Sequence, residues 1–164
     1  VTKSFGSSIF FCAPEEARMQ TRPLTQSDYE HIVSVIDRWW GGPSGALAHP
    51  IFFHELGRFA RVVEDEDKLV GFLLGFVCPD RPIGYVHLVG IHPDYRRRGV
   101  GTLLYAAFEE DCRHEKCTGL KAITTAANEG SVRFHQVQGW AMQEVENYAG
   151  PGRLRIVFTK ALSS

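Results

Sequence analysis

Residues 96–102 read Arg96-Arg97-Arg98-Gly99-Val100-Gly101-Thr102, and an apolar stretch follows: Leu103, Leu104, Ala107 and Phe108. Where a strand turns into a helix, backbone N–H groups stand unpaired and the helix dipole adds partial positive charge. Glycines let a ligand approach such a turn, and arginines can fork onto phosphate oxygens. The segment therefore has the chemistry of a pyrophosphate cradle; the plain alternative is a charged surface turn. Upstream, Tyr85 and His87 lie two residues apart in a stretch that reads as a strand. That spacing places them on one face, with Val89 and Ile91 continuing it and His92 pointing the other way. An imidazole with an ordinary pKa of about 6.5 can take a proton near neutrality. The alternative is a histidine that only packs in the core.

The elements around these residues follow from periodicity. Residues 19–23 alternate and stop at Pro23, as a short strand does. Thr25 and Ser27 offer caps to a helix whose apolar face is Tyr29, Ile32, Val33, Ile36 and Trp40, ending at Gly41-Gly42-Pro43. Residues 51–56 suggest a short second helix. Residues 59–64 and 69–77 flank the acidic turn 64–68 as a hairpin, with Gly71 and Gly75 marking a bulge or a close approach. Residues 84–92 form a further strand ended by Pro93. Val100, Leu103, Leu104, Ala107 and Phe108 then keep helical spacing from near Gly101. Residues 119–125 read as a strand, Ser131 caps a helix through Gln138, and 140–145 and 153–160 read as two last strands. The order predicts one mixed α/β domain over 19–162, with residues 1–18 an extension of unassigned role.

Composition narrows the function. The chain has 164 residues, 44% hydrophobic and 23% charged, with formal net charge −1. That balance argues against a general nucleic-acid binder, so the arginine cluster needs a local ligand. Four cysteines occur without a C-x-x-C pair or a zinc-ligand spacing, which predicts free thiols, no metal and a cytoplasmic setting. No apolar run approaches the roughly 20 residues of a membrane span.

Two common nucleotide motifs fail. No lysine completes a Walker loop, and Leu104 stands where a dinucleotide fold needs its third glycine. The pattern instead resembles the acetyl-CoA loop of the GNAT superfamily of N-acetyltransferases, Gln/Arg-x-x-Gly-x-Gly/Ala. Here it is Arg96 to Gly101, preceded by Ile91-His92-Pro93-Asp94-Tyr95. A second motif of that family matches Asn128, Ser131, Phe134-His135 and Gly139-Trp140.

The resemblance implies a central mixed sheet whose fourth and fifth strands splay, flanked by helices, with acetyl-CoA in the gap. It implies that Val89, Gly90 and Ile91 pair with the pantetheine arm, that the backbone of Arg97 to Thr102 holds the pyrophosphate, and that Asn128 and Phe134 contact the cofactor. It also implies transfer of acetyl to a primary amine of a small molecule or peptide, with homodimerisation left open. His87 then takes the amine proton and Tyr85 orders a water. The family commonly has a tyrosine acid where this chain has His135, which makes His135 the matched candidate acid and Tyr148 a spare one. Trp39, Trp40, Phe52 and Phe53 are candidate acceptor-site walls, and Glu64 or Glu55 candidate attractors of an ammonium. The missing tyrosine also supports a second reading, a CoA-binding sensor or interaction module without catalysis.

Overall fold

The structure is a computed structural model that describes residues 19–163. The extension 1–18 lies outside the described residues. In chain order the elements are β1 (Met19–Pro23), α1 (Gln26–Trp40), α2 (Ile51–His54), β2 (Arg61–Asp65), β3 (Lys68–Val77), β4 (Ile83–Ile91), α3 (Val100–His114), β5 (Gly119–Thr124), α4 (Glu129–Val137), β6 (Ala141–Val145) and β7 (Arg155–Ala161). The strands form one sheet in the order β1-β2-β3-β4-β5-β7-β6. Only β4 and β5 pair in parallel; all other neighbours are antiparallel. This is the mixed α/β architecture that the resemblance implies.

The sheet buries both faces around β3. On the front face, α1 sets Ile32, Ile36 and Trp39 against Val62, Phe72, Leu74 and Leu88. On the back face, α3 sets Val100, Leu104 and Phe108 against Val63, Leu73, Val86 and Leu120. Residues 69–75 of β3 are buried without a break, as a strand covered on both faces requires. The glycines of β3 serve that closeness: a Cβ on Gly71 would lie 2.5 Å from Val100 Cγ1, and one on Gly75 2.8 Å from Phe108. Gly75 also stands beside a register shift between β3 and β4, so both expectations for these glycines hold.

Helix α1 starts with a reciprocal cap. Thr25 Oγ1 accepts from the Asp28 N–H, and Asp28 accepts from the Thr25 N–H. Arg22 donates to Asp28 at 2.9 Å and also to Glu64, which holds the Asp28 carboxyl down at about 2 despite its burial. Glu64 is thereby committed to a structural cluster and cannot serve as the ammonium attractor expected for it. Helix α4 begins earlier than the sequence pattern predicts. Its cap is Asn128, whose Oδ1 accepts from the Ser131 N–H at 3.2 Å, and not Ser131.

Among the described residues, Cys78, Cys112 and Cys117 are free thiols and no cluster of three or more His, Cys, Asp or Glu could hold a metal ion. No described helix is long and apolar enough to cross a membrane.

Candidate functional site

The site is set by where β4 and β5 part. They pair only from Ile83–Gly119 to Val86–Ala122. Beyond that point Leu88 to Ile91 keep their ladder with β3 on one edge and have no strand on the other. An unpaired edge inside a fold is a ready partner for an extended ligand with amide groups.

β4 carries a bulge at the fork. Leu74 lies opposite Leu88 and Gly75 opposite Val86, so His87 has no partner in β3. One extra residue changes which side chains share a face. Val86 packs in the back cluster, whereas Leu88 packs in the front one, and a Cβ on Gly90 would strike the front residue Phe72. Tyr85 and His87 face the front, where Tyr85 lies against Phe76 and His87 against Phe52. Val89 and Ile91 pack on the back cluster. The expectation that all four share a face is therefore corrected, as is that for His92, whose ring meets Trp39 on the front.

His87 is half-buried. Its ring stacks on Phe52 with centroids 3.6 Å apart, and Nε2 lies 2.8 Å from the Leu47 carbonyl. A carbonyl only accepts, so the proton sits on Nε2 and the Nδ1 lone pair is left. Burial pushes the His87 pKa below its ordinary value. Neutral His87 is thus the form present at neutral pH. Tyr85 beside it is pushed up to about 12 by burial, with smaller contributions from Tyr148 and Cys78. The Tyr148 ring, in the β6–β7 loop, lies 5.1 Å from Lys121 Nζ.

The arginine turn lies at the far end of β4. Arg97 and Gly99 both adopt left-handed backbone, φ 59° and 83°. Gly99 caps α3, and no side chain caps the first N–H groups of that helix. Those donors are what an anion would meet. The three arginines divide. Arg96 donates to the Trp39 carbonyl at the end of α1, which ties one of its amino groups into the fold. Arg98 lies over the Tyr95 ring at 4.5 Å, with the Tyr95 hydroxyl donating to Asp65 at 2.9 Å. Arg97 is exposed beside the cradle. A Cβ on Gly101 would lie 3.1 Å from Phe134 and 3.3 Å from Ile91, so this glycine lets α3 meet α4 and β4 closely. Thr102 accepts from Gln138 Nε2 at 3.0 Å. Asn128 caps α4 through Oδ1, which leaves its amide NH₂ for a ligand.

His135 does not stand where an acid would. It is 3% exposed, and its ring stacks on Phe158 at 4.0 Å. Nδ1–H donates to the Ser131 carbonyl at 2.8 Å, and Nε2 accepts from the Tyr105 hydroxyl at 3.0 Å. Both nitrogens are used, and burial pushes its pKa down. The one proton of this neutral, sealed imidazole is held on the Ser131 carbonyl, so the side chain is a core hydrogen-bond hub, which argues against the expected acid role. Tyr105 is the partner that sequence reasoning missed; its place on the buried stripe of α3, one residue past Leu104, was the available signal. Of the expected acceptor walls, Trp39 is buried in the core and Phe53 stacks on Tyr29. Phe52 does face His87, and Trp40 is exposed.

Comparison with known proteins agrees with this architecture. Residues 16–140 match the model of the Acetyltransferase (GNAT) family. The protein YdhI of Bacillus subtilis (strain 168) is 29% identical over 107 residues, 65% of this chain and 64% of its own length. The chain thus spans less than two thirds of that relative. The crystal structure of Ard1 from Thermoplasma volcanium superposes with a TM-score of 0.75 at 19% identity, over 90% of this chain and 99% of its own. The NatC complex bound to Gag peptide and CoA gives a TM-score of 0.74 at 15% identity, over 89% and 99% of the two chains. At these identities the structural likenesses speak to the fold. The family match covers most of the chain, fork and arginine turn included, and the chain belongs to the GNAT acetyltransferase family.

Proposed function

We propose that the protein transfers acetyl from acetyl-CoA to a primary amine of a small molecule or peptide. The observation that carries this reading is the fork: an open β4 edge from His87 to Ile91 leads from the uncapped start of α3 to a half-buried neutral histidine. The residues fit the cofactor in chemical kind. The N–H groups of Gly99 to Thr102, with the Arg97 and Arg98 guanidiniums, suit a pyrophosphate. The free amide edge of Val89 to Ile91 suits the amide groups of a pantetheine arm, and the Asn128 NH₂ can donate to it. Acetyl-CoA supplies the thioester whose acetyl group moves.

The chain's residues handle the protons. His87 Nδ1 accepts the proton that an ammonium must lose before its nitrogen can attack. The Nε2–H bond to Leu47 fixes the tautomer and aims the ring. With His135 sealed and the Tyr29 hydroxyl donating to the Ala48 carbonyl, the phenols beside the fork are Tyr85 and Tyr148. Burial makes Tyr85 hold its proton tightly, so the exposed phenol of Tyr148 is assigned as donor to the leaving sulfur, with Tyr85 ordering solvent. The buried His135 is also what favours the second reading, a CoA-binding module without turnover. Thiol release from acetyl-CoA across a broad amine panel separates the two. Amine-dependent release supports the enzyme; tight CoA binding without release supports the module.

A further inference from the structure

Two strand-borne cations that reach α3 on the back face have acid partners, the first being Arg61 of β2, which donates to Asp111 at 2.7 Å. Lys160 of β7 donates to Glu109 at 2.7 Å. The front face at the fork differs. Lys121 sits on β5 directly opposite Tyr85, between Leu120 and Ala122, which pack into the back cluster. By strand alternation its side chain projects to the front, beside the face that carries His87. Its Nζ rests over the Tyr148 ring, and no described carboxylate lies within ion-pair distance of it. Farther along the same face, Arg155 donates only to the carbonyl of Leu154, at 2.8 Å. Of the two acids expected to attract an ammonium, Glu64 is tied to Arg22, and Glu55 caps the end of α2. The front face at the fork therefore carries Lys121 without an ion pair, over the Tyr148 ring and opposite Tyr85.

We infer that the acceptor amine also bears a carboxylate, and that Lys121 reads it. The inference rests on the amine-acetylation reading above and names the class of amine. A carboxylate on the acceptor meets Lys121 in a partly desolvated setting, where a charge-assisted hydrogen bond gives roughly 10- to 100-fold in binding. An acceptor with a second ammonium in that place is repelled by the same charge. The cation–π contact with Tyr148 holds the ammonium in position without neutralising it. Two sources supply such a group: a free amino acid, or a peptide with an acidic residue next to its free N-terminus.

The test compares matched acceptors. Amino acids are paired with their amides, and short peptides carrying Asp at the second position are paired with their Asn counterparts. Each is assayed for thiol release from acetyl-CoA with the wild type, Lys121→Gln, Lys121→Glu and Lys121→Arg, with CoA binding and thermal melting as folding checks. The expected result is at least a 10-fold preference in kcat/KM for the carboxylate member of one pair type, and that pair type identifies the source. Lys121→Gln should erase the preference, mainly through KM; Lys121→Glu should invert it, and Lys121→Arg should keep it. If amines are acetylated but the wild type shows no preference, or Lys121→Gln keeps it, the inference is wrong and amine acetylation stands. If no pair releases thiol while a carboxylate-free amine of a broad panel does, this inference is wrong and amine acetylation stands; if no amine of either set releases thiol, both fall.

Discussion

His135→Phe separates a core histidine from a catalytic acid. Phenylalanine keeps a ring of similar size, so the stack on Phe158 and the edge contacts with Trp140 and Tyr105 can persist. What is lost is the Nδ1–H donor to the Ser131 carbonyl and the acceptor for the Tyr105 hydroxyl, which stays buried on the inner side of α3. An orphaned buried hydroxyl costs about 1–3 kcal/mol. For a chain of this length that lowers Tm by about 3–10 °C. Adding Tyr105→Phe removes the orphan, and the double variant should regain most of the loss. The coupling, measured by thermal or denaturant melting, should be about 0.5–3 kcal/mol. Turnover measured well below both melting temperatures should stay within a few-fold of wild type. The reasoning is refuted if His135→Phe melts like the wild type while turnover falls ~100-fold, the loss expected of a removed general acid.

Other expectations follow from the same geometry. His87→Ala should lower kcat about 100-fold or more and remove the acidic limb of the pH–rate profile. In the wild type that limb should fall below pH 6.5, because burial depresses the His87 pKa and the base works only when neutral. Stability should also fall with acid. His135 is held neutral in the fold, so its contribution is full above its unfolded pKa of about 6.5 and is lost as pH drops through the lower folded value. The loss approaches about 1.4 kcal/mol per pH unit, readable by melting between pH 7 and 5. Gly99→Val should cost about 1–2 kcal/mol, since φ is 83° there with no neighbour to relieve, and should weaken CoA binding in a titration. Asn128→Ala should cost about 1 kcal/mol as a lost helix cap and weaken CoA binding as well.

The periodic signals carried the element order because burial on two faces of one sheet imposes them. The first strand was predicted at its observed residues, and α3 began within a residue of the predicted place. The arginine turn was legible because a strand-to-helix turn with φ above zero needs glycine at a fixed spot. The bulge at His87 was not legible. The burial of β4 alternates without a break through it, so period-2 reading sees an ordinary strand while the faces exchange. The fate of His135 was hidden for another reason. Its partners, Tyr105 and Phe158, come from α3 and β7 and meet it only in three dimensions. Arg96 is similar: its acceptor is the Trp39 carbonyl, which no local pattern foretells.

The central claim is that the forked sheet moves acetyl to an amine nitrogen. Its most direct test is to incubate the protein with acetyl-CoA and a broad amine panel, follow thiol release, and identify the acetylated product by mass spectrometry. The account predicts thiol release that depends on the amine, matched by acetyl on its nitrogen and lost in His87→Ala. Saturable CoA binding with no amine-dependent release from any member of the panel would contradict it.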